Sequence, residues 1–185
     1  DEASVKHLLR RTTFGAKRAD IQYFLKLGFS ATIDELLRKD TEPIPPLKDY
    51  NPSSAAIPDN TISIGQTWVD DSSLDGTVAS LRRSSFKKWW VGLMINQNRS
   101  IQEKMTLFWH NHFATETLDI AIAQYIYKNN KTLRSNALGN FKQLLKSVTL
   151  DPGMLIYLNG QNNNKTAPDE NYGRELQELF CCGKG

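Results

Sequence analysis

The sequence lacks the features that would place it in a membrane or among small disulfide-stabilised proteins. No run of about 18 apolar residues occurs, so no membrane-spanning helix is predicted. The two cysteines, Cys181 and Cys182, are adjacent, and a disulfide between neighbours is geometrically strained. The net charge is only +3 and the basic residues are scattered, so nucleic acid is not expected as a partner.

The sequence also lacks internal repeats and any convincing alternation of apolar and polar residues. Apolar residues instead recur at intervals of three and four, which is the period of an amphipathic helix. One helix start is marked by a possible capping box, in which Ser100 precedes Glu103 by three residues. We therefore predict an all-α fold, an irregular multi-helix domain.

Residues 40–76 interrupt the helical pattern. They are rich in Ser, Asn and Asp and contain Pro43, Pro45, Pro46, Pro52 and Pro58. Proline removes a backbone donor and breaks helices, so we predict an extended, surface-running connection. It would join an N-terminal helical subdomain (1–39) to a main helical domain (77–185), either wrapping around the main domain or separating the two.

Two histidines stand two residues apart, His110 and His112. On a helix they diverge by about 200°, so they are not expected to bind one metal ion together. The asparagine-rich loop after Asn159 has no aspartate at the early ligand positions of a calcium loop and no glycine at the sixth. We therefore predict no metal site and no cofactor.

His112, more than His110, is expected to turn inward. The predicted helix places it on one face with three apolar residues, Ile101, Met105 and Phe108. A buried imidazole needs a hydrogen-bonding partner, and the last helix offers three polar candidates, Glu175, Glu178 and Asn171.

The last helix is predicted from Glu170 to about Cys181, with Asp169 as its N-cap. Its apolar side consists of Tyr172, Leu176, Leu179 and Phe180. A separate polar stripe consists of Asn171, Arg174, Glu175, Glu178 and Cys182. Two carboxylates three residues apart could act as an acid and a base, or the stripe could be a solvated face with Arg174 paired to a carboxylate.

Several segments, in this order, resemble the signature motifs of one bacterial family. They are Leu8–Gly15, Phe108–Thr115, Leu133–Arg134, Ala137–Phe141, Leu144–Leu145, Asp151–Leu155, Glu170–Leu176 and Glu178–Leu179. Over nearly the whole chain outside the proline-rich connection, the sequence is similar to the family known as domain of unknown function 1800 (DUF1800).

The resemblance implies no established activity. It implies an exported, extracytoplasmic protein of the periplasm or cell surface, because family members often carry export signals. Members are usually longer, so the chain is expected to be an N-terminal fragment that contacts the rest of its own chain beyond Gly185. Many members have a histidine where this chain has Phe180. The residues that the resemblance brings forward as a shared polar site are Trp109, His110, His112, Asn171, Arg174, Glu175 and Glu178.

Two functions remain open from the sequence. The first is a structural or binding module of an exported protein, possibly with another exported protein as partner, in which Trp109, Asn171 and Arg174 are binding residues. The second is an enzyme of unknown reaction. Its candidate catalytic residues are His110, His112, Glu175 and Glu178.

Overall fold

The computed structural model describes residues 1–50, 59–73, 78–168 and 170–183. In these ranges the chain forms nine α-helices: α1 Glu2–Thr12, α2 Arg18–Leu27, α3 Phe29–Leu37, α4 Ala79–Ile95, α5 Gln102–His112, α6 Ala123–Ser135, α7 Phe141–Thr149, α8 Pro152–Tyr157 and α9 Glu170–Phe180. Extended backbone pairs there only at two isolated bridges, Leu47 with Thr67 and Asn164 with Ala167. The all-α prediction is confirmed. Within the described ranges, every helix is too short or too polar to cross a bilayer.

Helix starts follow from local side-chain chemistry. The side chain of Asn140 accepts a hydrogen bond from the backbone of Gln143 at the start of α7. Asp151 does the same for α8, where Pro152 occupies the first turn. A cap oxygen satisfies backbone donors that the helix itself leaves free, and proline at this place removes one of them. These short polar residues therefore fix where α7 and α8 begin.

The core consists of three clusters of buried apolar side chains. The first belongs to α1, α2 and α3 and contains Leu9, Ile21, Phe24 and Leu36. The second lies mainly between α4 and α6 and includes Trp68, Phe86, Trp90 and Ile126. The third lies among α5 to α9 and includes Phe113, Leu133, Leu144, Val148 and Met154. Helix α6 contacts α4, α5, α7 and α8, so it connects the second and third clusters.

The first three helices join the rest of the chain through polar contacts. Arg99 donates from Nε to Asp20 Oδ1 at 2.8 Å. The backbone N–H of Ile101 donates to the carbonyl of Leu36 at 2.8 Å. These contacts hold α2 and α3 beside the segment that leads into α5.

The proline-rich connection contains neither helix nor strand in residues 40–50 and 59–73, as predicted. Residues 51–58 and 74–76 lie outside the described residues. The expected surface-running path is wrong for several residues, because Lys48, Asp59 and Trp68 are buried. Trp68 donates from its indole nitrogen to Ser85 Oγ on α4 at 3.2 Å. The described parts of the connection are therefore packed against α4.

A buried arginine on α4 organises this packing. Arg82 donates to both carboxylate oxygens of Asp59, each at 2.9 Å, and to Asp71 at 2.6 Å. Tyr50 donates its hydroxyl to Asp59 at 2.7 Å. The two carboxylates give the arginine counter-charge and hydrogen-bond acceptors, which a buried guanidinium requires. The charged residues thus fix a segment that has no regular hydrogen-bond ladder of its own.

The predicted capping box does not form, because the N-cap residue of α5 is Ile101, which makes no side-chain cap bond. Ser100 Oγ accepts from the backbone N–H of Gln102 at 3.2 Å and donates to the carbonyl of Arg38 at 2.9 Å. Glu103 does not complete the box, because its carboxylate is bound by Arg134 of α6. The serine therefore helps to start α5, while the glutamate belongs to the interior.

Candidate functional site

The buried face of α5 is polar, although the sequence predicted an apolar one. Gln102, Glu103 and Thr106 are buried. Phe108, which was predicted to point inward, is 53% exposed. The inward side of α5 faces an arginine of α6, and a charged partner requires polar groups opposite it. The orientation of α5 is therefore set by an ion pair as well as by apolar burial.

Glu103 and Arg134 form that buried ion pair. Arg134 is 1% exposed, and it donates to the two oxygens of Glu103 at 2.7 and 3.0 Å. Its third contact is to Asn130 Oδ1 at 2.6 Å. Trp90 of α4 donates to the same carboxylate at 3.2 Å. This bidentate arrangement joins α4, α5 and α6 at one point.

His110 lies against α4. Its ring meets Trp90 edge to face, with 4.9 Å between the ring centroids. Its Nδ1 is buried and has no hydrogen-bond partner among the described residues. Burial lowers the pKa of His110, so the imidazole is neutral near pH 7. Both histidines are half-buried, and a buried ring nitrogen is found for His110, so the expectation that His112 faces inward more than His110 is wrong.

His112 lies against α9. Its Nε2 is 2.9 Å from the backbone carbonyl oxygen of Phe180. A carbonyl can only accept, so the geometry assigns the proton to Nε2. His112 thus reaches the last helix, as predicted, but its partner there is a backbone carbonyl and not Glu175, Glu178 or Asn171. The predicted divergence of the two histidines is confirmed, since His110 contacts α4 and His112 contacts α9.

Trp109 lies in a group of aromatic rings. Its indole nitrogen donates to the carbonyl of Ala137 at 3.0 Å, which ties α5 to the end of α6. Its ring contacts those of Phe108, Phe113 and Phe141 at centroid distances of 4.9, 6.1 and 5.7 Å. Phe113 is fully buried, whereas Phe108 and Phe141 remain substantially exposed. The group therefore runs from the core to the surface.

The polar stripe of α9 is paired along its own helix. Asn171 donates to Glu175 at 2.9 Å, and Arg174 donates to Asn171. Nη1 of Arg174 also lies 3.8 Å from Oε1 of Glu178, and the side chain of Arg174 is 58% exposed. The prediction that Arg174 pairs with a carboxylate is confirmed. Cys182, the last member of the stripe, is exposed.

The apolar side of α9 is narrower than predicted. Tyr172 and Phe180 are buried, but Leu179 is 58% exposed, which contradicts its predicted position in the core. The hydroxyl of Tyr172 donates to the carbonyl of Thr149 at 2.7 Å and so joins α9 to α7. The predicted cap, Asp169, lies outside the described residues.

The structure thus divides the sequence-predicted site into separate places. His112 joins the end of α9 and His110 lies on another side of α5. The α9 stripe is exposed at Arg174 and Cys182 and half-buried at its other three residues, Asn171, Glu175 and Glu178. Within the part of the chain that the structure describes, no three His, Cys, Asp or Glu residues come close enough to hold a metal ion. Glu103, Arg134 and Asn130 were not predicted as a site from the sequence, because Glu103 was assigned to a helix cap and nothing local marks Arg134 and Asn130 as its partners.

Comparison with known proteins gives one match. The sequence model of a protein family described as "Protein of unknown function (DUF1800)" matches residues 7–185. No curated protein and no solved structure shows a significant match to the chain.

Proposed function

The chain belongs to the DUF1800 family, a family of unknown function, and from this premise we propose that it is a structural or binding module of an exported bacterial protein. One observation carries the proposal: Nε2 of His112 is hydrogen-bonded to the backbone carbonyl of Phe180 rather than to one of the carboxylates proposed as its partners. The exported setting rests on the resemblance to family members that carry export signals.

Acid–base chemistry on the predicted residues would require a histidine and a carboxylate within reach of a common substrate. The carboxylate of Glu175 instead accepts from Asn171, and that of Glu178 lies beside Arg174. Pairs of this kind along an exposed helix contribute a few tenths of a kcal/mol to stability. The stripe is thus suited to keeping the surface of α9 soluble and its helix intact.

The surface suited to binding is the exposed end of the aromatic group. Phe108 and Phe141 present large rings to solvent, and both rings contact that of the half-buried Trp109. We call these three residues the aromatic rim. Aromatic side chains are enriched at the centres of protein interfaces, since they bury a large area at little cost in conformational entropy. The partner that fits is another exported protein with an apolar patch.

Site-specific photo-crosslinking tests the proposal in the bacterium that makes the protein. Phe108 or Phe141 is replaced with p-benzoylphenylalanine, and crosslinked proteins are identified by mass spectrometry. Phe29 on α3 provides the matched control, because it is also an exposed phenylalanine but lies outside the aromatic rim. We expect one extracytoplasmic protein to be captured at both rim positions and not at Phe29. Equal capture at all three positions, or none, would count against a binding role.

The alternative is an enzyme of unknown reaction, and one observation favours it. His110 is held neutral by burial and has an Nδ1 without a partner among the described residues, as a general base would. Incubation of the protein with a metabolite extract, followed by untargeted mass spectrometry, tests this. A turnover lost in His110→Gln and retained in Phe108→Ser would establish the enzyme and overturn the non-catalytic proposal.

A further inference from the structure

A cavity of about 110 Å³ lies between α4, α5 and α6. Its lining includes Phe86, Trp90, His110, Thr115, Thr117 and Asn130. We propose that this cavity is a binding site for a small carboxylate of the size of acetate or propionate. The proposal is independent of the module function, because it concerns the interior and not the aromatic rim.

The orientation of Asn130 is the first observation that points to a ligand. Asn130 is 1% exposed, and its Oδ1 accepts from Arg134 at 2.6 Å. A guanidinium only donates, so the amide cannot be flipped, and its Nδ2 must point away from Arg134. That Nδ2 is buried and has no partner among the described residues. A buried N–H without an acceptor is destabilising, so an acceptor oxygen in the cavity would stabilise the protein.

His110 supplies a second unpartnered atom on the same cavity. Its Nδ1 is buried, and its ring is fixed edge to face against Trp90. The neutral imidazole can carry its proton on Nδ1 and donate it to an oxygen. Asn130 and His110 together therefore provide two donors for the two oxygens of one carboxylate. The hydroxyls of Thr115 and Thr117 offer additional donors on the same lining.

The charge of the lining favours an anion. Lys87 is the cationic residue of the lining and is exposed to solvent. Neither aspartate nor glutamate occurs among the described residues that line the cavity. Asp151 accepts a hydrogen bond from Asn129, which lines the cavity, but Asp151 itself is not part of the lining. Because the lining has one cationic side chain and no carboxylate among the described residues, its electrostatic potential favours an anion.

The apolar part of the lining sets the size of the ligand. Phe86, Trp90 and Ile126 are buried, and they would contact a methyl or ethyl group. The volume exceeds the ~30 Å³ that one water molecule occupies in the liquid. A short aliphatic carboxylate would place oxygens against the polar wall and carbon against the aromatic wall. Ordered water alone would leave the apolar wall without a matching group.

Titration followed by NMR tests the proposal directly. Protein labelled with nitrogen-15 is titrated with sodium acetate and sodium propionate, with sodium chloride at equal ionic strength as the control. We expect saturable shifts of the Asn130 side-chain amide and the His110 ring nitrogens with both carboxylates and none with chloride. Methylammonium chloride should also give none. The absence of a saturable shift with either carboxylate would mean that the cavity holds water only and would overturn the proposal.

Variants locate the site. Asn130→Asp keeps the acceptor for Arg134 but replaces the cavity-facing donor with an oxygen that repels the ligand. Its affinity for propionate should fall by about tenfold or more. Lys87→Gln should weaken binding several-fold, while the control Lys88→Gln, at an exposed neighbour outside the lining, should not. Equal weakening by the two lysine variants would refute the site, and this comparison stays available if Asn130→Asp does not fold.

Discussion

Replacing Glu103 with glutamine should be one of the most destabilising single changes in the molecule. The carboxylate accepts three hydrogen bonds, two from Arg134 and one from Trp90, at 2.7, 3.0 and 3.2 Å. Glutamine retains one acceptor oxygen and places an NH₂ group against donors. It also leaves the charge of Arg134 buried without a counter-charge. Removing one partner of a buried ion pair costs about 3–5 kcal/mol of unfolding free energy.

The magnitude rests on burial. The side chains of Arg134 and Glu103 are 1% and 11% exposed, so water cannot take over the lost contacts. Hydrogen bonds to charged groups contribute about 1.5–3 kcal/mol each. Glutamine at position 103 would keep only some of these bonds, so this estimate also gives a loss of a few kcal/mol of unfolding free energy. By contrast, the exposed pair of Arg174 and Glu178 is expected to contribute only about 0–1 kcal/mol to the unfolding free energy.

Urea unfolding followed by circular dichroism measures the effect. Arg174→Ala serves as the control and should cost less than about 1 kcal/mol. The double variant Glu103→Leu with Arg134→Met removes both charges and should recover much of the stability that Glu103→Gln loses. A loss below about 1 kcal/mol in Glu103→Gln, with the helical spectrum unchanged, would refute the view that this pair holds α5 against α6.

Three further outcomes are expected. Burial alone would raise the pKa of Asp59, but hydrogen bonds from its neighbours outweigh burial and hold that pKa well below its ordinary value. The stability that the Asp59 carboxylate contributes is therefore present above about pH 4 and is lost as the pH falls. Asp59→Asn should reduce the dependence of the unfolding free energy on acid pH. Gly160→Ala would place a Cβ 2.6 Å from the ring of Tyr172, so thermal unfolding should show a loss of about 1–3 kcal/mol. His112→Ala should lower the melting temperature, whereas His112→Gln, whose amide can still donate to Phe180, should restore part of it; equal losses in both would show that the hydrogen bond contributes nothing.

The helices could be predicted because each depends on residues close together in the chain. The period of the apolar residues placed the last helix from Glu170 to about Cys181, close to its observed bounds Glu170–Phe180. The ordered motifs indicated the family, and the family match over residues 7–185 confirms it. Prolines indicated that residues 40–76 would be irregular, since proline removes a backbone donor and breaks the interior of a helix.

The candidate site was harder to predict because its partners are distant in sequence. Glu103 stands three residues after a serine and matched a local capping pattern, but its partner, Arg134, is 31 residues away. A prediction from the periodicity of apolar residues treats every charged side chain as exposed. It therefore placed Phe108 in the core and Glu103, which forms a buried salt bridge, on the surface. Leu179 was misplaced in the same way, since position on a helix face does not show how far the neighbouring helices extend.

The sequence by itself determined the fold class, the helix positions and the divergence of His110 and His112, because backbone geometry and local hydrogen bonds fix each of these. Only the tertiary structure decided which face of α5 is buried, what His112 binds, and that Asn130 and His110 share a cavity. Those features depend on charges and carbonyls brought together from separate helices. A buried charge must find its counter-charge wherever the chain places it, and that pairing is settled only when all the helices pack.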